Sequence, residues 1–309
     1  MSDTTIIVQQ VINGLSLGAM YALLAIGFTL VYGIMELINF AHFNVFMIGS
    51  FLGMWALESL GLSGQSQMLT GFALYGTLAF AFVVAMLGSG LLGVAIERIA
   101  LRPLRGVAGT TGMITTIGVS YILFNVVLLV AGADAKNYPN PMPVVQWKVG
   151  GATFDLRQLL IWVVSLVLMI ALQLFVSHSR LGKAMRATAQ DSEAARMMGV
   201  DVDRVIATAF FLGSALAGAS ALIFGLYYNY TSFLIGYSAG LRAFTAAVLG
   251  GIGSVTGAVV GGILVGLIET LGGQFIAVRW TDVIIFSILV FVLVFAPSGL
   301  LGRARPTKS

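Results

Sequence analysis

The sequence contains no cysteine and few charged residues. Its 309 residues include two histidines, six prolines and 9% charged side chains, whereas soluble domains carry about 25%. The absence of cysteine excludes disulfides and thiolate metal sites. His42 and His178 are far apart in the chain and form no metal-ligand cluster. We therefore expect neither a metal site nor a cofactor in this chain.

The remaining composition is strongly apolar. Hydrophobic residues make up 59% of the chain, and the mean hydropathy is +1.00. Apolar runs of about 20 residues alternate with short polar loops, which is the pattern of a helical protein that crosses a membrane several times. The period-two alternation of a membrane barrel is absent. The sequence predicts an all-α, polytopic transmembrane bundle in a single domain, residues 1–309, and its net charge of +4 indicates loops near anionic lipid rather than nucleic-acid binding.

We find about eight hydrophobic segments, and one of them differs from the rest. The seventh is long and rich in glycine, so we expect it to be broken into two short passes or a re-entrant pair. The eight segments are 9–33, 38–58, 69–96, 110–132, 158–177, 205–228, 240–271 and 282–297.

Lysine and arginine indicate which loops are cytoplasmic. The cations cluster in three regions, 98–105, 177–204 and 303–308. The loop 133–157 is rich in proline and has few cations, so it is expected to face outward. This arrangement requires 229–271 to cross twice, which agrees with a broken seventh segment. The side on which the N-terminus lies stays open.

The charged segment 177–204 has the signals of a short surface helix. Asp191 or Ser192 can cap its start, Glu193 suits its first turn, and Gly199 can provide a left-handed C-cap. An aspartate after Gly199 is the expected N-cap of the next span. The helix offers a small apolar surface made of Ala194, Ala195, Met197 and Met198. Two interpretations remain open: a helix that docks in a groove on a soluble protein, and a solvated helix lying on the membrane face.

Several blocks of the sequence resemble known permeases. Glu193-Ala194-Ala195 followed by Gly199 resembles the signature of ATP-binding-cassette (ABC) importer permeases. Further blocks, in order along nearly the whole chain, are similar to the LivH-type branched-chain amino acid permease family. They are 14–25, 38–42, 97–105, 246–254 and 297–302. Phe43 is a departure, because the family usually has glycine there.

The resemblance implies a multi-pass permease in a bacterial inner membrane. Its expected partners are a second, LivM-type permease subunit, two ABC ATPase subunits that bind ATP, and an extracytoplasmic binding protein that delivers an amino acid. Membrane lipid would surround it. We assign ATPase coupling to the segment 177–204, with contact residues Arg186, Asp191, Glu193, Ala194, Ala195, Arg196 and Gly199.

Polar and unwound positions are the candidates for the translocation pathway. Asn39, His42 and Asn44 form a polar patch between the first two spans, which either faces the pathway or is an internal hydrogen-bond network. Unwound backbone at Gly250, Gly251 and Gly253 can line the pathway. The following glycines at four-residue spacing instead favour tight helix packing.

Three alternative functions compete with the importer: a secondary transporter, an importer of urea or short amides, and an enzyme. An ion-coupled secondary transporter would use Glu36, His42 or Glu269 as a proton site and would not need the segment 177–204. The same architecture importing urea or short amides also remains open. The chain lacks a phosphate-binding loop and a credible nucleophile–base pair, so we expect a transport subunit rather than an enzyme.

Overall fold

The computed structural model describes residues 3–62, 68–105, 109–149, 151–296 and 298–302. The expected all-α bundle is confirmed. Its helices are α1 (Asp3–Met35), α2 (Ala41–Ser59), α3 (Gly71–Ile96), α4 (Gly109–Ala131), α5 (Leu156–His178), α6 (Arg180–Gln190), α7 (Ser192–Met197), α8 (Val202–Tyr228), α9 (Ile235–Gly250), α10 (Val255–Gly272) and α11 (Thr281–Phe295). A π-helical turn, Glu97–Leu101, and a 3₁₀ turn, Arg102–Leu104, extend α3.

Six helical stretches within the described ranges are long and apolar enough to cross a membrane by length and composition. The bundle also contains the shorter helices α2 and α9. One of the six stretches, Val255–Phe295, contains both α10 and α11. Within the described ranges the eight predicted segments therefore correspond to nine helices, because the seventh is divided into α9 and α10.

The two ends of the bundle are identified by their loop contacts. At one end lie four short strands, β1 (Lys136–Asn137), β2 (Gln146–Val149), β3 (Ala152–Asp155) and β4 (Tyr230–Thr231). β1 pairs antiparallel with β4, and β2 pairs antiparallel with β3. The loop predicted to face outward therefore lies beside the 229–234 turn. The Gln9 side chain exchanges two hydrogen bonds with the Thr153 backbone, at 2.7 and 3.0 Å, so α1 begins at this end.

The opposite end carries the cations. Arg105, after α3, forms an ion pair with Asp203 in the first turn of α8. Two of the three regions predicted to be cytoplasmic thus meet at one end of the bundle. We call this the cation-rich end. The third region includes Arg303, Arg305 and Lys308, which lie outside the described residues.

The long helix α1 is at the centre of the bundle. Its 33 residues span about 50 Å, and nearly all positions from Gly14 to Val31 are buried. Small residues allow this burial. A Cβ atom on Gly18 would lie 2.7 Å from the Ile263 Cα atom of α10, and one on Gly14 would lie 2.5 Å from Thr270 Oγ1. The α1–α10 interface is therefore a backbone-to-backbone contact of the kind that small residues at four-residue spacing allow.

The predicted break in the seventh segment is confirmed between α9 and α10. Gly251 and Gly253 have φ values of +110° and +91°, a region that side chains disfavour. Ser254 Oγ then caps α10 by accepting from Gly257 N at 3.0 Å. The end of α9 is covered by the C-terminal segment 298–302, whose residues Leu300 and Leu301 donate backbone hydrogen bonds to Leu249 and Gly250, both at 2.9 Å.

Candidate functional site

The segment 177–204 folds as the local signals predict. Asp191 ends α6 and caps α7, where its Oδ1 atom accepts from the backbone amides of Glu193 and Ala194 at 2.9 and 3.0 Å. Gly199 has a φ of +83° and ends the turn after α7. Asp201 then caps α8 by accepting from Arg204 N at 3.0 Å. Three caps within eleven residues fix the direction in which α7 projects from the bundle.

The exposed face of α7 differs from the predicted apolar surface. Ala195 is buried, at 5% exposure, and packs in the hydrophobic core. Its small side chain allows α7 to lie close to the bundle. Met197 and Met198 are instead 82% and 84% exposed. The accessible apolar surface of α7 is therefore mainly two adjacent methionines, flanked by exposed Glu193 and Arg196.

Arg186, the remaining residue assigned to coupling, lies on α6. Its guanidinium donates a hydrogen bond to the carbonyl of Val176 near the end of α5. The side chain is exposed, but this bond directs it toward α5. Its coupling role stays a prediction.

An ionic network connects α7 to the end of α3. Arg196 approaches Asp203 at 3.5 Å, and Asp203 also pairs with Arg105. Arg105 in turn pairs with Glu97, which is fully buried. Arg102 makes two further bonds to Glu97, at 3.0 and 3.1 Å. From the sequence, Arg196 was assigned to ATPase coupling, whereas Arg102 and Arg105 served as orientation markers and as part of the permease-like block 97–105. The sequence did not single out Glu97 or Asp203 as their ion-pair partners.

The predicted polar patch separates onto different faces of α2. Asn39 is buried just before α2, and its Oδ1 accepts from the first amide of the helix, Ala41 N, at 3.1 Å. His42 is 1% exposed and lies in the packed interior, where a Cβ on Gly27 would come within 3.1 Å of its Nε2 atom. The ring of Phe28 meets it edge-on at 6.2 Å. The positions of Asn39 and His42 thus agree with a structural role, and their pathway role stays a prediction.

Asn44 has different surroundings. Its Nδ2 atom donates to the carbonyl and hydroxyl oxygens of Ser120 on α4, at 2.8 and 2.5 Å. It also borders a cavity of about 360 Å³ between α2, α4 and α9. The cavity is lined by Phe40, Phe43, Asn44, Ile117, Ser120, Tyr121, Phe124, Leu234, Tyr237 and Leu241. None of these side chains is charged, and half of them are aromatic.

The helix break lies away from this cavity. Gly251 is in close contact with Ser298 and Gly302, and Gly250 is in close contact with Gly257 of α10. The break is therefore packed at the cation-rich end, where it turns the chain. A pathway role for Gly250, Gly251 and Gly253 stays a prediction that this packing does not favour.

A second ionic cluster joins α9, α10 and α11. Arg242 pairs with Glu269 at 3.0 Å and with Asp282 at 2.7 Å. The sequence left open whether Arg242 and Glu269 pair or face water, and the pairing is now established. Asp282 was missed, because nothing in its local sequence indicates a partner 40 residues earlier.

This cluster predicts that removing the charge of Glu269 or of Asp282 will lower the stability of the protein by different amounts. The side chain of Glu269 is 18% exposed, and that of Asp282 is 62% exposed. Glu269→Gln should therefore lower the melting temperature of the detergent-purified protein clearly, because it leaves Arg242 partly buried with one weaker partner. Asp282→Asn should cost less than about 1 kcal/mol, the usual value of an exposed pair. Equal shifts in the two variants would contradict this ranking.

Comparison with known proteins reveals a clear family relationship. Residues 10–293 match the family described as "Branched-chain amino acid transport system / permease component". The chain is 40% identical, over 97% of both chains, to the high-affinity branched-chain amino acid transport system permease protein BraD of Pseudomonas aeruginosa. It is equally similar, over the same shares, to LivH of Escherichia coli K12. A probable LivH of Methanocaldococcus jannaschii is 27% identical over 91% of this chain and 88% of its own.

Proposed function

Because the chain belongs to the permease component family of branched-chain amino acid transport systems, we propose that it forms half of the translocation pathway of an importer for leucine, isoleucine and valine. It is a multi-pass membrane protein and a transport subunit rather than an enzyme. The family implies ATPase and binding-protein partners. We further propose a LivM-type second permease, two ATPase subunits, and a location in the bacterial inner membrane.

The exposed end of α7 is the single structural observation that carries the proposed role as an ATPase-coupled importer subunit. Two methionines at the end of a short helix, which is capped by Asp191 and followed by the left-handed Gly199, present an adaptable apolar surface at the cation-rich end. An ATPase groove could accept them while Glu193 and Arg196 meet polar groups at its rim. A proton-coupled transporter would have no use for such a projection.

The ionic network suggests how motion at α7 would reach the membrane. Arg196 is linked through Asp203 and Arg105 to buried Glu97. Arg105 directly precedes the segment that leads into α4. In our proposal a shift of α7, driven by the ATPases, therefore moves the ends of α3 and α4 together, and α4 carries one wall of the cavity.

Two substitutions test the coupling role. Glu193→Lys reverses charge at the exposed start of α7, and Gly199→Val strains its exit, where φ is +83°. We expect both variants to insert normally but to lose most leucine uptake and to co-purify with less ATPase. Glu58→Lys is the matched control, since Glu58 is an exposed glutamate near the end of α2 at the opposite end of the bundle. Normal uptake together with normal ATPase co-purification in both variants would contradict the proposal.

A further inference from the structure

We propose that the cavity between α2, α4 and α9 holds the apolar side chain of the amino acid during its passage. This inference rests on the proposed function and assigns it a place in the fold. The observations are the cavity's volume, its uncharged aromatic walls and the single buried amide at its edge.

The size and chemistry of the cavity suit such an occupant. Its volume of about 360 Å³ lies within the usual range of small-molecule sites, about 300–1,000 Å³. Phe124, Tyr121 and Tyr237 offer apolar surface with hydroxyl groups on two of the rings. Tyr121 and Tyr237 are each 67% exposed, so the cavity is open on one side. A lysine or glutamate side chain placed against its walls would still lose part of its hydration without gaining an ionic partner, which is costly. The cavity therefore favours an uncharged, apolar side chain.

Nearby contacts determine the depth of the cavity. Phe43 lies against Gly240 of α9, where a Cβ atom would come within 2.5 Å of the Phe43 ring. On its other side the ring stacks on Phe28, at 6.3 Å and 26°. Phe43 is thus held between two helices and forms a fixed wall. A wall of this kind limits the length of the side chain that the cavity can accept.

Asn44 connects the cavity to the movement of α4. Its two hydrogen bonds to Ser120 cross from α2 to α4 at the edge of the cavity. Asn44 is 7% exposed, so water cannot readily replace Ser120 as its partner. When α4 moves, this bond must shift or break, which changes the width of the cavity. Asn44 is therefore a positioning residue in our proposal, because it acts through α4.

The backbone at the start of α2 offers little to the charged ends of a substrate. Phe40 N is bonded to Thr116 Oγ1 at 3.2 Å, and Ala41 N is bonded to Asn39 Oδ1 at 3.1 Å. The cavity therefore supplies a surface for the side chain only. We place the ammonium and carboxylate groups of the amino acid outside it, in the water-filled part of the pathway.

Filling the cavity tests the proposal. Ile117→Trp adds bulk to a residue that lines the cavity. Ile122→Trp is the control, because it makes the same change in α4 at a residue that is 63% exposed and does not line the cavity. The complete transporter with its binding protein is placed in proteoliposomes, and uptake of leucine and valine is compared. We expect Ile117→Trp to lower leucine uptake about tenfold more than valine uptake, because one methylene is worth about 10–200-fold in a fitted pocket. Stimulated ATP hydrolysis should be unchanged, and Ile122→Trp should match wild type.

Equal losses for leucine and valine in Ile117→Trp, or no loss for either, would overturn the assignment. If that variant does not assemble, photolabelling of the wild-type transporter decides. A leucine carrying a diazirine should label lining residues such as Phe124, and excess leucine should suppress the label. Labelling of the cavity by a diazirine fatty acid that leucine does not displace would mean that lipid occupies it. A wild-type transporter that moves no branched-chain amino acid would instead refute the proposed function.

Discussion

Gly266→Leu should eliminate nearly all correctly folded protein from the membrane. Gly266 lies on α10 against the backbone of Gly18 and Gly14 in α1, with no room for a Cβ atom. A leucine there forces apart the two helices at the centre of the bundle, and overpacking a tight core usually costs about 1–3 kcal/mol and occasionally more. Backbone atoms cannot move aside as a flexible side chain can, so we expect a cost beyond that usual range. The measurement is the yield of monodisperse protein after detergent extraction.

The same substitution at Gly76 is the control. Gly76 also lies within a helix, α3, but a Cβ atom there would meet nothing within 4 Å. Gly76→Leu should be extracted in wild-type yield. On α10, Gly257→Leu and Gly261→Leu should also fail, since these glycines contact Gly250 and Ala246 of α9. If Gly266→Leu and Gly261→Leu both assemble and transport as wild type does, the backbone contacts described here are wrong.

Arg105→Glu should abolish transport. Arg105 lies between Glu97 and Asp203, and the reversal would bring three carboxylates together where Glu97 is fully buried. Like charges in such a place cost several kcal/mol, so the link between α3 and α8 should open. We expect leucine uptake to fall by more than about tenfold, the equivalent of 1.4 kcal/mol, while ATP hydrolysis continues without transport.

Arg98→Glu provides the comparison, because Arg98 lies next to Glu97 in the π-helical turn Glu97–Leu101 but has an exposed side chain. It makes the same change in net charge, and uptake should stay near the wild-type value. Arg105→Gln should have an intermediate effect, since it removes the cation without adding a third carboxylate. Wild-type transport in Arg105→Glu would contradict the proposed coupling through this network.

Features that depend on neighbouring residues were predictable from the sequence. The caps at Asp191, Gly199 and Asp201 arise from side chains or dihedral angles a few residues away. The break near Gly251 was predictable because the loop charges required two crossings. The capping signals depend on nearby residues, and the loop charges add up along the chain. Both can therefore be read from the sequence without the tertiary structure.

Features that depend on the rotation of a helix were not predictable. Hydropathy is high around the whole circumference of α2, so it cannot show that His42 faces the packed interior while Asn44 faces α4. The ion pair between Arg105 and Asp203 joins residues 98 positions apart. The cavity is formed by three helices and has no signature in any one of them.

The position of α1 has a consequence for biosynthesis. α1 is the first helix of this bundle to be made, yet it packs mainly against α8 and α10, which are made late. Gly14 and Gly18 must therefore stay without their final partner while most of the protein is being inserted. Contacts so distant in sequence slow folding, and an unpaired stripe of small residues can associate with other helices in the meantime. Within this bundle, the helix that is synthesised before the others is thus among the last to reach its native packing.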